Sequence, residues 1–287
     1  MVLTSIIGGL VLGHLPLRYG KSVVNFECDQ VPIETYCYKP DSYQGKRIIV
    51  VMHGVLRNAD EYRDHSVQMA ERFGALIITP KFDSQRFPSR LYQRGGILNA
   101  DGSAAPAEKW TYAYLPKIIA QVRKREGANI PFWIIGHSAG GQFLVRMCAF
   151  TRIGAERVIA ANAGSHLFPT VEAPFGYGYG SLPESLRTDE VMKQYLSAPL
   201  TLFQGTGDNK PDENFDQSAD AMKQGGGRYQ RGQAVYAFAK NLAQKRGWKF
   251  NWKWVEAKGV VHDHEAMFNH PNCELALFGT KSEECGP

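Results

Sequence analysis

The chain carries no dense run of lysine and arginine, no acidic or single-residue tract, no internal repeat, and no apolar stretch long enough to cross a bilayer. The first absence argues against a nucleic-acid surface: the 33 Lys and Arg are scattered, and the formal charge of +5 is scattered with them. A mild attraction for acidic substrates is the most that charge implies. The second absence removes the compositional signature of disorder. The longest apolar run, "MVLTSIIGGLVLGHL", is about a dozen residues, against the roughly 20 a transmembrane helix needs. No Lys or Arg precedes it as in an ordinary export signal. Residues 1–21 therefore read either as the remnant of an unusual signal or as a packing segment, and no stable membrane insertion is expected.

Cysteine is also scarce. Of the five, Cys28 and Cys37 flank a short turn-back, Cys273 and Cys285 bracket the C-terminal loop, and Cys148 falls on an apolar helical stretch. Two local bridges, Cys28–Cys37 and Cys273–Cys285, in a secreted or periplasmic protein fit this pattern, and so do five reduced thiols in a cytosol. No C-x-x-C pair and no Cys/His cluster at metal-ligand spacing occurs, so neither cofactor nor metal is expected. Oligomeric state is not encoded in any motif.

What the chain does have is core material. With 287 residues, 44% hydrophobic and 11% aromatic, residues 22–287 read as one large domain. Short β-rich runs ("SVVNF", "IETYCY", "RIIVV", "ALIITP", "FWIIG", "RVIAANAG", "PLTLFQG", "NWKWVEA") alternate with segments of helical period ("SVQMAERFG", "YLPKIIAQVRKREG", "GGQFLVRMCAF", "RGQAVYAFAKNLAQKRG"). That alternation predicts an α/β fold with a mostly parallel central sheet and helices on both faces, and the β-branched runs suit buried parallel strands. Residues at about 165–197 read as an irregular loop or lid.

The strongest local signal is "FWIIGHSAGGQF". A strand that ends in Gly-x-Ser-x-Gly and continues as a helix forces its serine into strained backbone, with Gly136 and Gly140 relieving the crowding around Ser138. The alternative is a glycine-rich strand-to-helix turn with an incidental serine. A hydroxyl is a poor nucleophile until a base takes its proton and a third group orients that base. Partners in the order Ser, Asp, His lie downstream: Asp208 just past "PLTLFQG", and His262 in the loop after "NWKWVEA". Asp212 and Asp216 share the acid loop, and His264 follows two residues after His262; Asp208 is preferred as nearest its strand end, and His262 as the residue the Gly259–Val261 run leads into. His14, His65, His166 and His270 have no comparable placement. The developing oxyanion needs donors, which the N–H groups of Ala139 and of Val55, after "MHG", can supply; each loop read alone is also an ordinary turn.

With those residues placed, the chain resembles the α/β-hydrolase superfamily. Within it, the chain is similar to bacterial esterases related to polyhydroxybutyrate depolymerases and feruloyl esterases, through "HSAGG", "MHGVLRNADEYRD" and "RGQAVYAFAKNLAQKRG...GVVHD". The resemblance implies Ser138 as nucleophile, His262 as base, Asp208 as acid, Val55 and Ala139 as oxyanion donors, and a small-molecule or oligomeric ester as substrate. Val261 departs from it, standing where a glycine is expected. The 165–197 segment offers Phe168, Phe175, Tyr177 and Tyr179 among glycines, an aromatic surface for substrate or simply an exposed loop; Phe175, Tyr177 and Tyr179 are the candidate substrate contacts. Arg86, Arg90 and Arg94 lie in another loop that either borders the site or is solvated. Amide or peptide hydrolysis by the same groups, or a non-catalytic binding protein on this fold, are the alternatives.

Overall fold

The computed structural model describes residues 15–279. Most of the apolar N-terminal run, and Cys285 with its expected bridge, lie outside the described residues. In chain order the elements are β1 (Gly20–Cys28), β2 (Val31–Lys39), β3 (Ile48–Met52), α1 (Ala59–His65), α2 (Val67–Phe73), β4 (Leu76–Pro80), α3 (Tyr114–Glu126), β5 (Phe132–His137), α4 (Ala139–Phe150), β6 (Val158–Ala161), α5 (Asp189–Leu196), β7 (Leu200–Gly205), α6 (Ala219–Met222), α7 (Arg228–Arg246), β8 (Lys253–Ala257), α8 (His264–Asn269) and α9 (Cys273–Phe278).

The strands form one eight-stranded sheet in the order β1-β2-β4-β3-β5-β6-β7-β8. β1 and β2 pair antiparallel, as do β2 and β4, and every other neighbour is parallel. The inner strands are buried on both faces, which is why β3 reads Ile-Ile-Val-Val-Met without a polar interruption. Alternate side chains enter opposite cores. Ile48, Val50 and Met52 join Phe143 and Leu144 of α4, Ile118 of α3 and Val235 of α7, whereas Ile49 and Val51 meet Tyr62, Met69, Phe268 and Leu277 from α1, α2, α8 and α9. Helices therefore cover both faces, as the alternation of strand and helix predicts.

The chain runs from β3 to β4 on one side and returns to β5 on the other side of β3. The loops leaving β3 and β5 diverge there and open a crevice at the carboxyl edge of the sheet, where open α/β sheets bind ligands. Met52 and Gly136, the last paired positions of β3 and β5, lie side by side where it opens.

Two expectations need correction. Cys28 and Cys37 are free and buried. In the hairpin Cys28 stands opposite Val31 and Cys37 opposite Ser22; at strand rise the two cysteines are about 20 Å apart, far beyond the ~7 Å limit for bridging Cα atoms. The 165–197 segment is not irregular throughout. It ends in α5, capped by the Thr188 hydroxyl accepting from Val191 N–H, and its earlier part is tied into a wall by Phe168 N–H to Tyr177 O (2.8 Å) and Tyr179 N–H to Thr170 O (2.7 Å). Among the described residues no helix is long and apolar enough to cross a membrane.

Candidate active site

Ser138 joins β5 to α4 with φ 57° and ψ −116°, a backbone conformation that costs a non-glycine residue about 1–3 kcal/mol. Its neighbours show why the flanking residues are glycines. A Cβ on Gly136 would lie 2.6 Å from the carbonyl carbon of Gly140, and one on Gly140 would lie 2.3 Å from the Met52 oxygen in β3. The turn is thus wedged against the neighbouring strand. Ser138 N–H donates to Ala161 O (3.0 Å) and Ser138 O accepts from Gln142 N–H (3.0 Å), which fixes both sides of the bend. The serine remains partly accessible.

Asp208 follows β7 and is buried; its Oδ2 lies 2.7 Å from Nδ1 of His262, in the loop after β8. The sequence leaves Asp212 and Asp216 as rivals, and the geometry separates them. Asp212 takes both guanidinium nitrogens of Arg228 (2.7 and 2.9 Å), and Asp216 accepts from the Tyr177 hydroxyl (2.7 Å). His264 is likewise engaged elsewhere, stacked on Tyr62 at 3.9 Å between centroids and 2.8 Å from Nδ1 of His65.

Three positioning residues escaped sequence reasoning. Arg228 places Nη1 3.3 Å from the other oxygen of Asp208, so both oxygens of that carboxylate are held. A possible signal was "GGGR": a Cβ on Gly227 would sit 2.7 Å from Cα of Asn209, so glycine lets α7 begin against the acid loop. Asn162 is buried and ties the end of β7 to the loop after β8, its Oδ1 accepting from Gly205 N–H (2.7 Å) and its Nδ2 donating to Val261 O (3.0 Å). This clamp uses only the backbone of Val261, whose side chain is exposed, so a valine in place of the expected glycine disturbs nothing there. His137, between Gly136 and Ser138, lies 4.4 Å ring to ring from His262; burial holds its pKa well below the usual histidine value. A neutral ring beside His262 presents no charge to oppose an imidazolium.

The loop after β3 is held as firmly. His53 is buried, and its Nε2 accepts from Phe82 N–H (3.0 Å) while Nδ1 lies 3.0 Å from Gly54 O. That pattern requires the neutral tautomer with the proton on Nδ1, and burial lowers its pKa to about 3. Tyr92 donates to His53 O (2.8 Å). Gly54 is needed because a Cβ would lie 2.6 Å from the Tyr62 hydroxyl. Among the described residues no protein acceptor takes the N–H of Val55 or Ala139.

Two chambers meet at Ser138. The first, about 540 Å³, is lined by Gly54, Leu56, Tyr62, His137, His262 and His264 among others. The second, about 230 Å³, is lined by Gln93, Arg94, Gln142, Arg146, Ser165 and Tyr177 among others. Val55 and Asn214 border both. Of the three aromatic residues expected to contact substrate, only Tyr177 does line a chamber. Phe175 and Tyr179 are buried, packed on Phe150 at 6.1 and 5.6 Å, and leave no face for a ligand. Arg86 and Arg90 are used away from the site, Arg86 bonding Asp83 and Pro32 O and Arg90 bonding Leu98 O; Arg94 reaches the site.

At the rim of the larger chamber Glu61, His65 and His264 bring one ligand atom each within 4.8 Å of one another, a nitrogen-rich set of the kind that suits zinc and its neighbours. The hydrogen bond between the two imidazoles already accounts for their approach.

No family model matches the chain, and no curated protein does. Solved structures do. Poly(aspartic acid) hydrolase-1 from Sphingomonas sp. KT-1 is 33% identical over 88% of this chain and 96% of its own, with a TM-score of 0.81. LpqC, a poly(3-hydroxybutyrate) depolymerase from Bordetella parapertussis, is 29% identical over 93% of this chain and 92% of its own, with a TM-score of 0.83. An IroE-like serine hydrolase from Shewanella oneidensis, 12% identical over 87% of this chain and 78% of its own, shares the fold at a TM-score of 0.54. With its mostly parallel eight-stranded sheet, its serine at the strand-to-helix bend and these relatives, the chain belongs to the α/β-hydrolase superfamily of serine hydrolases.

Proposed function

We propose that this serine hydrolase cleaves carboxylic esters, with oligoester or polyester chains as the subclass, through an acyl-enzyme on Ser138. The observation that carries the reading is the 2.7 Å contact between Asp208 and His262 Nδ1, in the cleft that also exposes Ser138. Asp208 holds the imidazole in the tautomer with its proton on Nδ1, which leaves Nε2 to take the serine proton. The serine oxygen then bonds the ester carbonyl carbon, and the negative oxygen is met by the N–H groups of Val55 and Ala139; losing one such donor typically costs about 10²–10³ in kcat. The protonated His262 gives its proton to the departing alcohol. In the second half a water, deprotonated by His262, releases the acid and restores Ser138.

Amide hydrolysis by the same groups is the second reading, and a specific observation supports it: the 33% identical relative is named for poly(aspartic acid), a polyamide, whereas the 29% identical one is named for a polyester. Matched p-nitrophenyl esters and p-nitroanilides of one acyl series separate the two. The ester reading expects turnover of the esters with kcat/KM at least 10³-fold above the anilides. Anilide turnover within tenfold of the ester overturns it in favour of an amidase.

A further inference from the structure

Arg146 is a buried guanidinium with no carboxylate partner. It is 2% exposed, and it donates through Nη1 to Gln142 O (3.1 Å) and through Nη2 to Ser165 Oγ (3.0 Å) and to Gly176 O, all uncharged groups. Its Nε has no partner. Removing an ion from water is costly unless an opposite charge compensates, and no ion pair of Arg146 exists among the described residues. Burial and the neighbouring Arg94 lower its pKa, to about 10, so the group is still a cation at neutral pH.

Arg94 stands in the same chamber, also without an ion pair or side-chain hydrogen bond among the described residues. Its guanidinium packs on Gly176, 3.1 Å from where a Cβ on that residue would be. The loop that carries it is cross-tied. Arg57 donates to Phe82 O and Phe87 O (both 3.0 Å) and stacks on Tyr92 at 4.1 Å, while Gly95 and Gly96 turn the chain at φ 70° and 65°. One acid also lines the chamber: Asp216, bonded to the Tyr177 hydroxyl and to Ser218 N–H. Two guanidinium groups and one carboxylate leave one net positive charge. That surplus matches a singly charged carboxylate and disfavours a phosphate dianion, which would face Asp216.

We propose that this smaller chamber is a carboxylate subsite: a substrate whose scissile carbonyl lies at Ser138 places a second, ionised carboxyl group against Arg94, in the field of Arg146. The inference rests on the hydrolase reading and narrows its substrate class to esters or amides that carry a free carboxylate within a few atoms of the bond cleaved. The chamber shares Ser138, Ala139 and Val55 with the reacting centre, so one short substrate can occupy both. An Arg fork pairs with a planar carboxylate through two parallel N–H···O bonds.

Two pairs of substrates test this at low ionic strength. The p-nitrophenyl half-ester of adipic acid against p-nitrophenyl hexanoate carries the charge on the acyl side, and carboxymethyl butyrate against propyl butyrate carries it on the alcohol side. The expected result is a preference of at least tenfold in kcat/KM for the charged member of one pair. The ratio falls to within twofold in Arg94→Ala, is partly kept in Arg94→Lys, and shrinks in 0.5 M salt. Parity in both pairs for the wild type, or an undiminished ratio in Arg94→Ala, overturns the subsite while leaving the hydrolase reading intact. Calorimetric binding of adipate to the Ser138→Ala protein decides the subsite even where no ester is turned over: binding must weaken at least tenfold in Ser138→Ala/Arg94→Ala, and equal binding, or none to either, contradicts it. Failure of the wild type to turn over any of the four esters would instead count against the ester reading.

Discussion

Ser138 holds its strained backbone only because its surroundings leave no alternative, with Gly136 and Gly140 pressed on each other and on β3. The strain belongs to the backbone and not to the hydroxyl, which separates two substitutions that both remove the hydroxyl. Ser138→Ala keeps a Cβ at φ 57° and keeps the strain. Ser138→Gly releases it, so the glycine variant is expected to be more stable than the alanine variant by about 1–3 kcal/mol, less the entropy glycine adds to the unfolded chain. Urea unfolding of the two proteins measures the difference, and an alanine variant as stable as the glycine one would contradict the strain. The same residue shows how far sequence reaches. "GHSAGG" announces the bend because only glycine fits on either side, and nearness to its strand end already favours Asp208 over Asp212, but what occupies Asp212 is not local to the loop. In sequence both are acids in one loop; only the arrival of Arg228, from the start of α7, pairs Asp212 and leaves Asp208 for His262.

The elements differ in how plainly they are written. Strands such as β3 and β5 are legible because burial on both faces demands unbroken β-branched and aromatic runs, and α3, α4 and α7 because each offers a long window of helical period. The helices α5, α8 and α9 span 8, 6 and 6 residues, too few turns for periodicity to stand out, and they depend on packing and caps such as Asp263 accepting from Ala266 N–H (3.0 Å). The wall before α5 is the hardest case. "PFGYGYG" reads as repeated aromatic and glycine positions, yet Tyr179 is buried in the core while Tyr177 lines the smaller chamber. The difference comes from the Ala173 and Thr170 carbonyls just before this stretch and from Arg146, some thirty residues upstream on α4, which no local pattern announces. Likewise the two cysteines of the first hairpin suggest a bridge by spacing, and the strand register places them at opposite ends.

At the scale of the whole molecule the fold carries a liability in buried and half-buried neutral histidines. Burial lowers the pKa of His53 and His166 to about 3 and that of His264 to about 4, and holds His137 well below its ordinary value. In the unfolded chain these rings titrate near 6.5, so as pH falls below that value the unfolded state takes up protons the folded state refuses. Their stabilisation is complete above about pH 6.5 and declines from there toward pH 4, by up to about 1.4 kcal/mol per pH unit for each ring. Urea midpoints at pH 7.5, 6 and 5 should fall steadily. A midpoint unchanged from pH 7.5 to pH 5 would mean the rings are protonated in the fold.

The account rests on Ser138 being an activated nucleophile open to the cleft, and covalent trapping tests that most directly. Incubation with a fluorophosphonate followed by peptide mass spectrometry should give one adduct per chain, on Ser138, lost in Ser138→Ala and at least 100-fold slower in His262→Ala. A wild-type protein that stays unmodified under conditions that label other serine hydrolases, or that carries the adduct on another residue, would contradict it.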